Sequence, residues 1–120
     1  MTEDEARATC RAAADYIEQH GWVQEGYYST PDGNVTMTPD LRASDCAVCL
    51  MGAVRVITGE HVDSSRTNKA AYSLIERELA KRGTHGYDIG VLHEWNDEQD
   101  READEVVDVL RCAAGAEVPA

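Results

Sequence analysis

Phenylalanine is absent from this chain of 120 residues. The large pieces of its core must therefore be Trp22, Trp95, the tyrosines and the Leu, Ile, Val and Met set. No run of about 18 apolar residues occurs, which excludes a membrane-spanning helix. The opening "MTEDEARATC" is acidic and lacks the basic-then-apolar pattern of a secretory leader. Basic residues are scarce. Lys and Arg number 11 against 23 Asp and Glu, for a formal net charge of −12 and a pI of about 4.5. Such a surface repels nucleic-acid phosphates and anionic lipid, which disfavours both as partners and suits a basic protein partner. Phosphate loops, nucleophile elbows and HExxH motifs are also missing. These absences point to a cytoplasmic protein with no cofactor.

What is present suffices for one compact domain over residues 1–120, with the last few residues, "AEVPA", frayed. Hydrophobic residues make up 42% of the chain, enough for a core without covalent staples. From Thr2 to His20, Ala6, Cys10, Ala13, Ala14 and Ile17 fall on one helical face. Thr2 and Glu5 have capping-box spacing, and Gly21 is a natural stop. "WVQEGYYSTPDGNVTMT" reads as a β-hairpin, Trp22–Ser29 and Asn34–Thr38, turning at Pro31-Asp32-Gly33-Asn34. A second helix is predicted over Cys46–Thr58, capped by Ser44 or Asp45 and apolar nearly all round. A third covers about Asn68–Arg82. "VLHEW" is a short extended or helical piece. The last helix runs from about Asp100 to Ala114, capped by Asp97 or Asp100. The expected fold is mainly α (α+β): four helices and one hairpin, in the order α-β-β-α-α-α.

Three clusters carry a family likeness. They are Gly21-Trp22-x-Gln24, Cys49-x-x-Gly52-Ala53, and Trp95-Asn96-Asp97 followed by Arg101 and Glu105-Val106. In order and spacing they resemble a family of small actinobacterial and actinobacteriophage proteins of unknown function. The chain departs from the pattern at Glu25, which precedes Gly26, and at Glu102, where a threonine is usual. The resemblance implies an actinobacterial or phage origin. It implies no reaction.

Several constellations invite a chemical reading. Cys10, Cys46, Cys49 and Cys112 are four thiols in a reducing compartment, and a zinc site on Cys46 and Cys49 would need further ligands from Cys10, Cys112, His61, His85 and His93, a cluster of all four cysteines being one arrangement. The C-x-x-C pair lies in an apolar run with no second clasp, so a core role is the simpler reading. Cys49, His93 and Asn96 follow the order of a Cys–His–Asn hydrolase, although no complete catalytic constellation is evident. Trp22, Gln24, Trp95, Asn96, Asp97 and Arg101 could frame one small-ligand cleft. The simpler alternative makes Trp22 and Trp95 core anchors, Asn96 and Asp97 caps, and Arg101 the i+4 partner of Asp97. Glu94, Glu98, Asp100, Glu102 and Asp104 lie in an acidic run suited to a basic partner, or to a solvated helix face. The favoured reading is a non-catalytic interaction or regulatory module linked to phage or prophage. A small-molecule binder or cysteine hydrolase using Cys49, Trp95, Asn96 and Asp97 is the alternative.

Overall fold

The computed structural model describes residues 2–30, 34–37, 46–84 and 89–115. The first helix, α1 (Glu3–His20), begins where expected. The Thr2 hydroxyl accepts from the Glu5 N–H at 3.2 Å, satisfying one of the donors that every helix start leaves orphaned. Gly21 ends α1 with φ 99°, a conformation that suits glycine, and its N–H reaches Ile17 O at 2.8 Å. The predicted stripe of Ala6, Cys10, Ala13, Ala14 and Ile17 is buried. It packs α1 against three other helices.

The hairpin is shorter than expected: β1 (Tyr28–Ser29) pairs antiparallel with β2 (Val35–Thr36), matching Tyr28 to Thr36 and Ser29 to Val35. Residues 22–24 pair elsewhere. Val48 N–H bonds Gly21 O at 3.2 Å, and Val23 N–H bonds Val48 O at 3.0 Å, forming a parallel bridge of Trp22 with Val48. Glu25 then turns the chain with φ 66°. The predicted turn residues Pro31, Asp32 and Gly33 lie outside the described residues.

The same pairing corrects the second helix. It does not begin at Cys46: α2 covers Leu50–Thr58 with Cys49 as its N-cap. Residues 46–49 are claimed by strand-like bonds, Ser29 N–H to Ala47 O at 2.8 Å and Cys49 N–H to Tyr27 O at 3.1 Å. A continuous apolar run has no period with which to separate strand from helix, so this boundary was hidden. The proposed caps Ser44 and Asp45 lie outside the described residues. A β-carbon on Gly52 would stand 2.3 Å from the Tyr27 carbonyl oxygen, so only glycine lets α2 come this close to the hairpin backbone.

Helix α3 (Arg66–Lys81) is capped by the Ser65 hydroxyl, which accepts from Asn68 N–H at 3.1 Å. "VLHEW" forms a helix of its own, α4 (Ile89–Asn96), so the described residues hold five helices rather than the expected four. The last, α5 (Ala103–Ala113), starts later than expected. Neither Asp97 nor Asp100 caps it. Asp97 is drawn to other partners and Asp100 takes φ 69°, while Glu102 N–H bonds the Glu105 carboxylate at 3.1 Å. The element order is α1-β1-β2-α2-α3-α4-α5.

One hydrophobic cluster draws on all five helices and the hairpin, including Tyr28, Leu50, Met51, Tyr72, Ile75, Leu79, Leu92 and Leu110. Each such aliphatic side chain contributes about 1.5–3 kcal/mol on burial. Trp95 is buried with them and Trp22 packs against their edge. Among the described residues no helix is long and apolar enough to cross a membrane.

Candidate functional site

Two neighbouring polar networks hold most of the chemistry-bearing side chains. The first is centred on Asn96, the last residue of α4, which is 2% exposed. Its Oδ1 accepts from Trp22 Nε1 at 2.7 Å and from Leu50 N–H at 3.0 Å. Its Nδ2 donates to Val23 O at 3.2 Å and to Asp97 Oδ1 at 2.9 Å. Two donors meet one end of the amide and two acceptors the other, which fixes its orientation and uses its full capacity. Leu50 opens α2, so Asn96 supplies from another helix an acceptor for the first N–H of α2, beside the local cap that Cys49 provides at Gly52.

Neighbouring residues close the arrangement. Gln24 Nε2 donates to Asn96 O at 3.0 Å and Glu98 O at 2.9 Å, serving carbonyls at and beyond the end of α4. Asp97 Oδ1 also accepts from Glu25 N–H at 2.9 Å. Arg101 lays its guanidinium 4.0 Å over the Trp95 ring and donates from Nε to Trp95 O at 3.0 Å. Its terminal nitrogens reach Glu105 at 2.6 Å and Glu98 at 2.5 Å. Thus Trp22, Gln24, Trp95, Asn96, Asp97 and Arg101 do converge, and their polar contacts among the described residues run to each other, to backbone and to nearby carboxylates. Arg101 pairs with Glu98 and Glu105 rather than with Asp97.

Cys49, His93 and Asn96 are each engaged separately. Cys49 is 1% exposed, and its Sγ accepts from Gly52 N–H at 3.2 Å. Burial pushes its thiol up to about 11, outweighing the backbone hydrogen bonds that favour the thiolate. His93 bonds Tyr27 instead. No hydrogen bond joins the three among the described residues. The four cysteines are likewise dispersed. Cys10 Sγ faces Ala71 O at 3.8 Å, and Cys112 Sγ lies 4.0 Å from Asp108. Burial pushes the Cys10 thiol up to about 12. Among the described residues no group of three or more His, Cys, Asp or Glu side chains is placed to hold a metal ion. Cys10, Cys46, Cys49 and Cys112 are thus not brought together as ligands. Glu94, Glu98, Asp100, Glu102 and Asp104 are all exposed.

The second network was not foreseen. Arg55 lies on the buried side of α2, 8% exposed, and donates from Nε to Asp63 Oδ1 at 2.9 Å. The same oxygen accepts from the Tyr72 hydroxyl at 2.7 Å. Tyr27 donates to Asp63 Oδ2 and meets His93 Nε2 at 2.8 Å. The Arg55 guanidinium lies 3.7 Å from the Tyr27 ring centroid. Beside it the Tyr28 hydroxyl meets His61 Nδ1 at 2.7 Å. Burial pushes Asp63 upward, but hydrogen bonds from Arg55, Tyr27 and Tyr72 outweigh it and hold the carboxyl below its usual range. Burial, joined by the Asp63 carboxylate, raises Tyr27 and Tyr72 well above an ordinary phenol. Burial raises Tyr28 as well, so all three tyrosines stay protonated, and Asp63 stays ionised at neutral pH. The signal in the sequence was Arg55 alone, a charge inside an otherwise apolar run, which demands a buried partner.

Chemically, both networks pin segments together. The first ties the 22–25 segment and the ends of α2 and α4; the second ties the hairpin, α2, the α2–α3 loop and α4. An open groove of about 690 Å³, lined by Ser73, Glu76, Arg77, Ala80 and Lys81, lies on α3 and shares no lining residue with either.

A small helical protein whose motif residues lock its own elements together is the class this geometry defines. Residues 1–116 match the model of a family of unknown function, DUF6197, and the chain belongs to that family. Comparison with curated proteins and with solved structures returned no match.

Proposed function

We infer that this member of the family is a non-catalytic interaction or regulatory module, of actinobacterial or phage origin, that works in the cytoplasm by binding a basic protein. One observation carries the reading: the hydrogen bonds of the motif side chains run to the chain's own backbone and to its own side chains, and Asn96 at their centre has its full capacity used. What remains for a partner is the acid-rich surface, in a chain of net charge −12. That charge also disfavours nucleic acid and anionic membrane as partners. The alternative, a small-molecule pocket or cysteine hydrolase using Cys49, Trp95, Asn96 and Asp97, has less support. Its nucleophile is buried and its thiol is held protonated.

The test neutralises Glu94, Asp100 and Asp104 together, by Glu94→Gln, Asp100→Asn and Asp104→Asn. Among the described residues none of the three forms an ion pair, so the fold should be unaffected. Cross-linked capture from an actinobacterial lysate should retain a partner with the wild-type chain and lose it with the triple variant. Identical capture by both chains refutes the acidic-surface reading. Rapid alkylation of Cys49 in the native protein would favour the hydrolase.

A further inference from the structure

The two histidines of the second network hold their tyrosines with opposite polarity. Asp63 is ionised and can only accept, so Tyr27 spends its single proton on Asp63. His93 Nε2 must then be the donor to the Tyr27 oxygen at 2.8 Å. Tyr28 differs. It is 0% exposed, and among the described residues its hydroxyl has one hydrogen-bond partner able to accept, His61 Nδ1 at 2.7 Å. Arg55, which also reaches the Tyr28 hydroxyl, can only donate. A buried hydroxyl proton without an acceptor is costly, so Tyr28 donates to His61 and Nδ1 keeps its lone pair.

Protonation therefore acts differently on the two. His93 gains its proton at Nδ1 and keeps the Nε2–H bond to Tyr27. His61 gains its proton at Nδ1 itself, the atom that accepts from Tyr28. The Tyr28 proton then has no acceptor, and the new charge stands beside the group that Arg55 already contacts. His61 meets the Tyr28 hydroxyl, and the charged and titratable groups acting on Tyr28 are Arg55 and Cys49 of α2 and Asp63 of the α2–α3 loop, while Glu60 is next to His61 in the chain. Among the described residues neither Glu60 nor Asp63 is hydrogen-bonded to the Tyr28 hydroxyl, so neither replaces the acceptor that Tyr28 loses.

We propose that the His61–Tyr28 bond is an acid-opened latch between the α2–α3 loop and the hairpin, while the His93–Tyr27 bond is indifferent to acid. The latch responds to acid through His61 Nδ1, the atom that accepts the Tyr28 proton. It opens the loop locally and leaves the helices folded. Asp63 remains paired with Arg55 there, because its carboxyl is held below the usual carboxylate range.

The test is amide hydrogen exchange by NMR at pH 7.5 and 5.0, corrected for intrinsic rates, with the imidazole C–H signals followed in the same samples. The probes are the amides of Tyr27 and Cys49, bonded to Thr36 O and Tyr27 O, and of Ser65, bonded to Val62 O. In the wild type, protection at these sites should fall about tenfold as the His61 signals titrate, with α1 and α5 unchanged. His61→Gln offers an acceptor that does not titrate, so it should keep its protection at both values. His93→Gln should retain the wild-type acid response. Tyr28→Phe should be open at both, and should it fail to fold, the His61→Gln comparison still decides. Equal wild-type protection at both values overturns the latch. So does an acid response that survives His61→Gln, or a His61 still uncharged at pH 5.0.

Discussion

At the scale of a single residue, Asn96 bears more of the fold than any other polar side chain described. It joins residues 74 positions apart, Trp22 and itself, and caps a helix 46 positions away. Truncating it leaves the Leu50 N–H and the Trp22 indole N–H without acceptors in a buried setting, at about 1–3 kcal/mol for each unmet group. Asn96→Ala should therefore lower the unfolding free energy by about 3 kcal/mol, measured by urea denaturation followed at 222 nm. A loss under about 1 kcal/mol would mean that water replaces the amide and that the network is ornamental. Asn96→Asp separates the two halves of the role. It preserves the acceptor for Leu50 and Trp22 but discards both donors and sets a second carboxylate against Asp97. It should be intermediate at neutral pH. The two predictions need no assumption about function, because they follow from four hydrogen bonds.

At the scale of elements, the helices were legible where one face was apolar and the other charged. α1, α3 and the body of α5 show that period in the sequence, and Thr2 and Gly21 mark the ends of α1. The start of α2 was not legible, because "CAVCLMGA" is apolar on every side and its first half answers to the hairpin, not to its own propensity. Nor were the partners of Arg55. Tyr27 meets Asp63 across 36 positions and His93 across 66, and nothing local in either stretch announces the other. The gathering of Trp22, Gln24 and Asn96 was legible as a cluster, but not that its members would face inward. The joint between α2 and α3 carries its own pH signature. The Asp63 carboxyl is held below its unfolded value of about 3.9. Its contribution is thus complete above pH 4 and disappears as pH falls through the lower, folded value. Wild-type stability should show this decline in denaturation curves taken below pH 4. Asp63→Asn, which leaves Arg55 buried without its counter-charge, should be weaker by about 3 kcal/mol or more at pH 7 and should lack that part of the acid limb. An unchanged acid limb in the variant would show that Asp63 is not held below its ordinary range.

At the scale of the whole molecule, opposing electrostatic terms act. Surface ion pairs such as Arg111 with Asp15 and Glu18, Arg82 with Asp108 and Arg77 with Glu3 link one helix to another. Their partners are well exposed, and such pairs are worth about 0–1 kcal/mol each. Against them stands a net charge of −12. Folding concentrates that charge, and the repulsion reaches across the whole surface rather than between neighbours. Salt screens both terms, but not equally. Raising ionic strength from 0.01 to 0.15 M shortens the Debye length from about 30 to about 8 Å, which removes the long-range repulsion and spares contact pairs in part. The protein should therefore become more stable over that range at pH 7. The expected gain is of the order of 1 kcal/mol, or roughly 4 °C in Tm by calorimetry. A Tm that falls with salt would mean that the ion pairs outweigh the repulsion, and that the surface is balanced for stability rather than left acidic. A rise would mean that the fold bears an electrostatic cost which a basic partner, by neutralising the same surface, would relieve on binding.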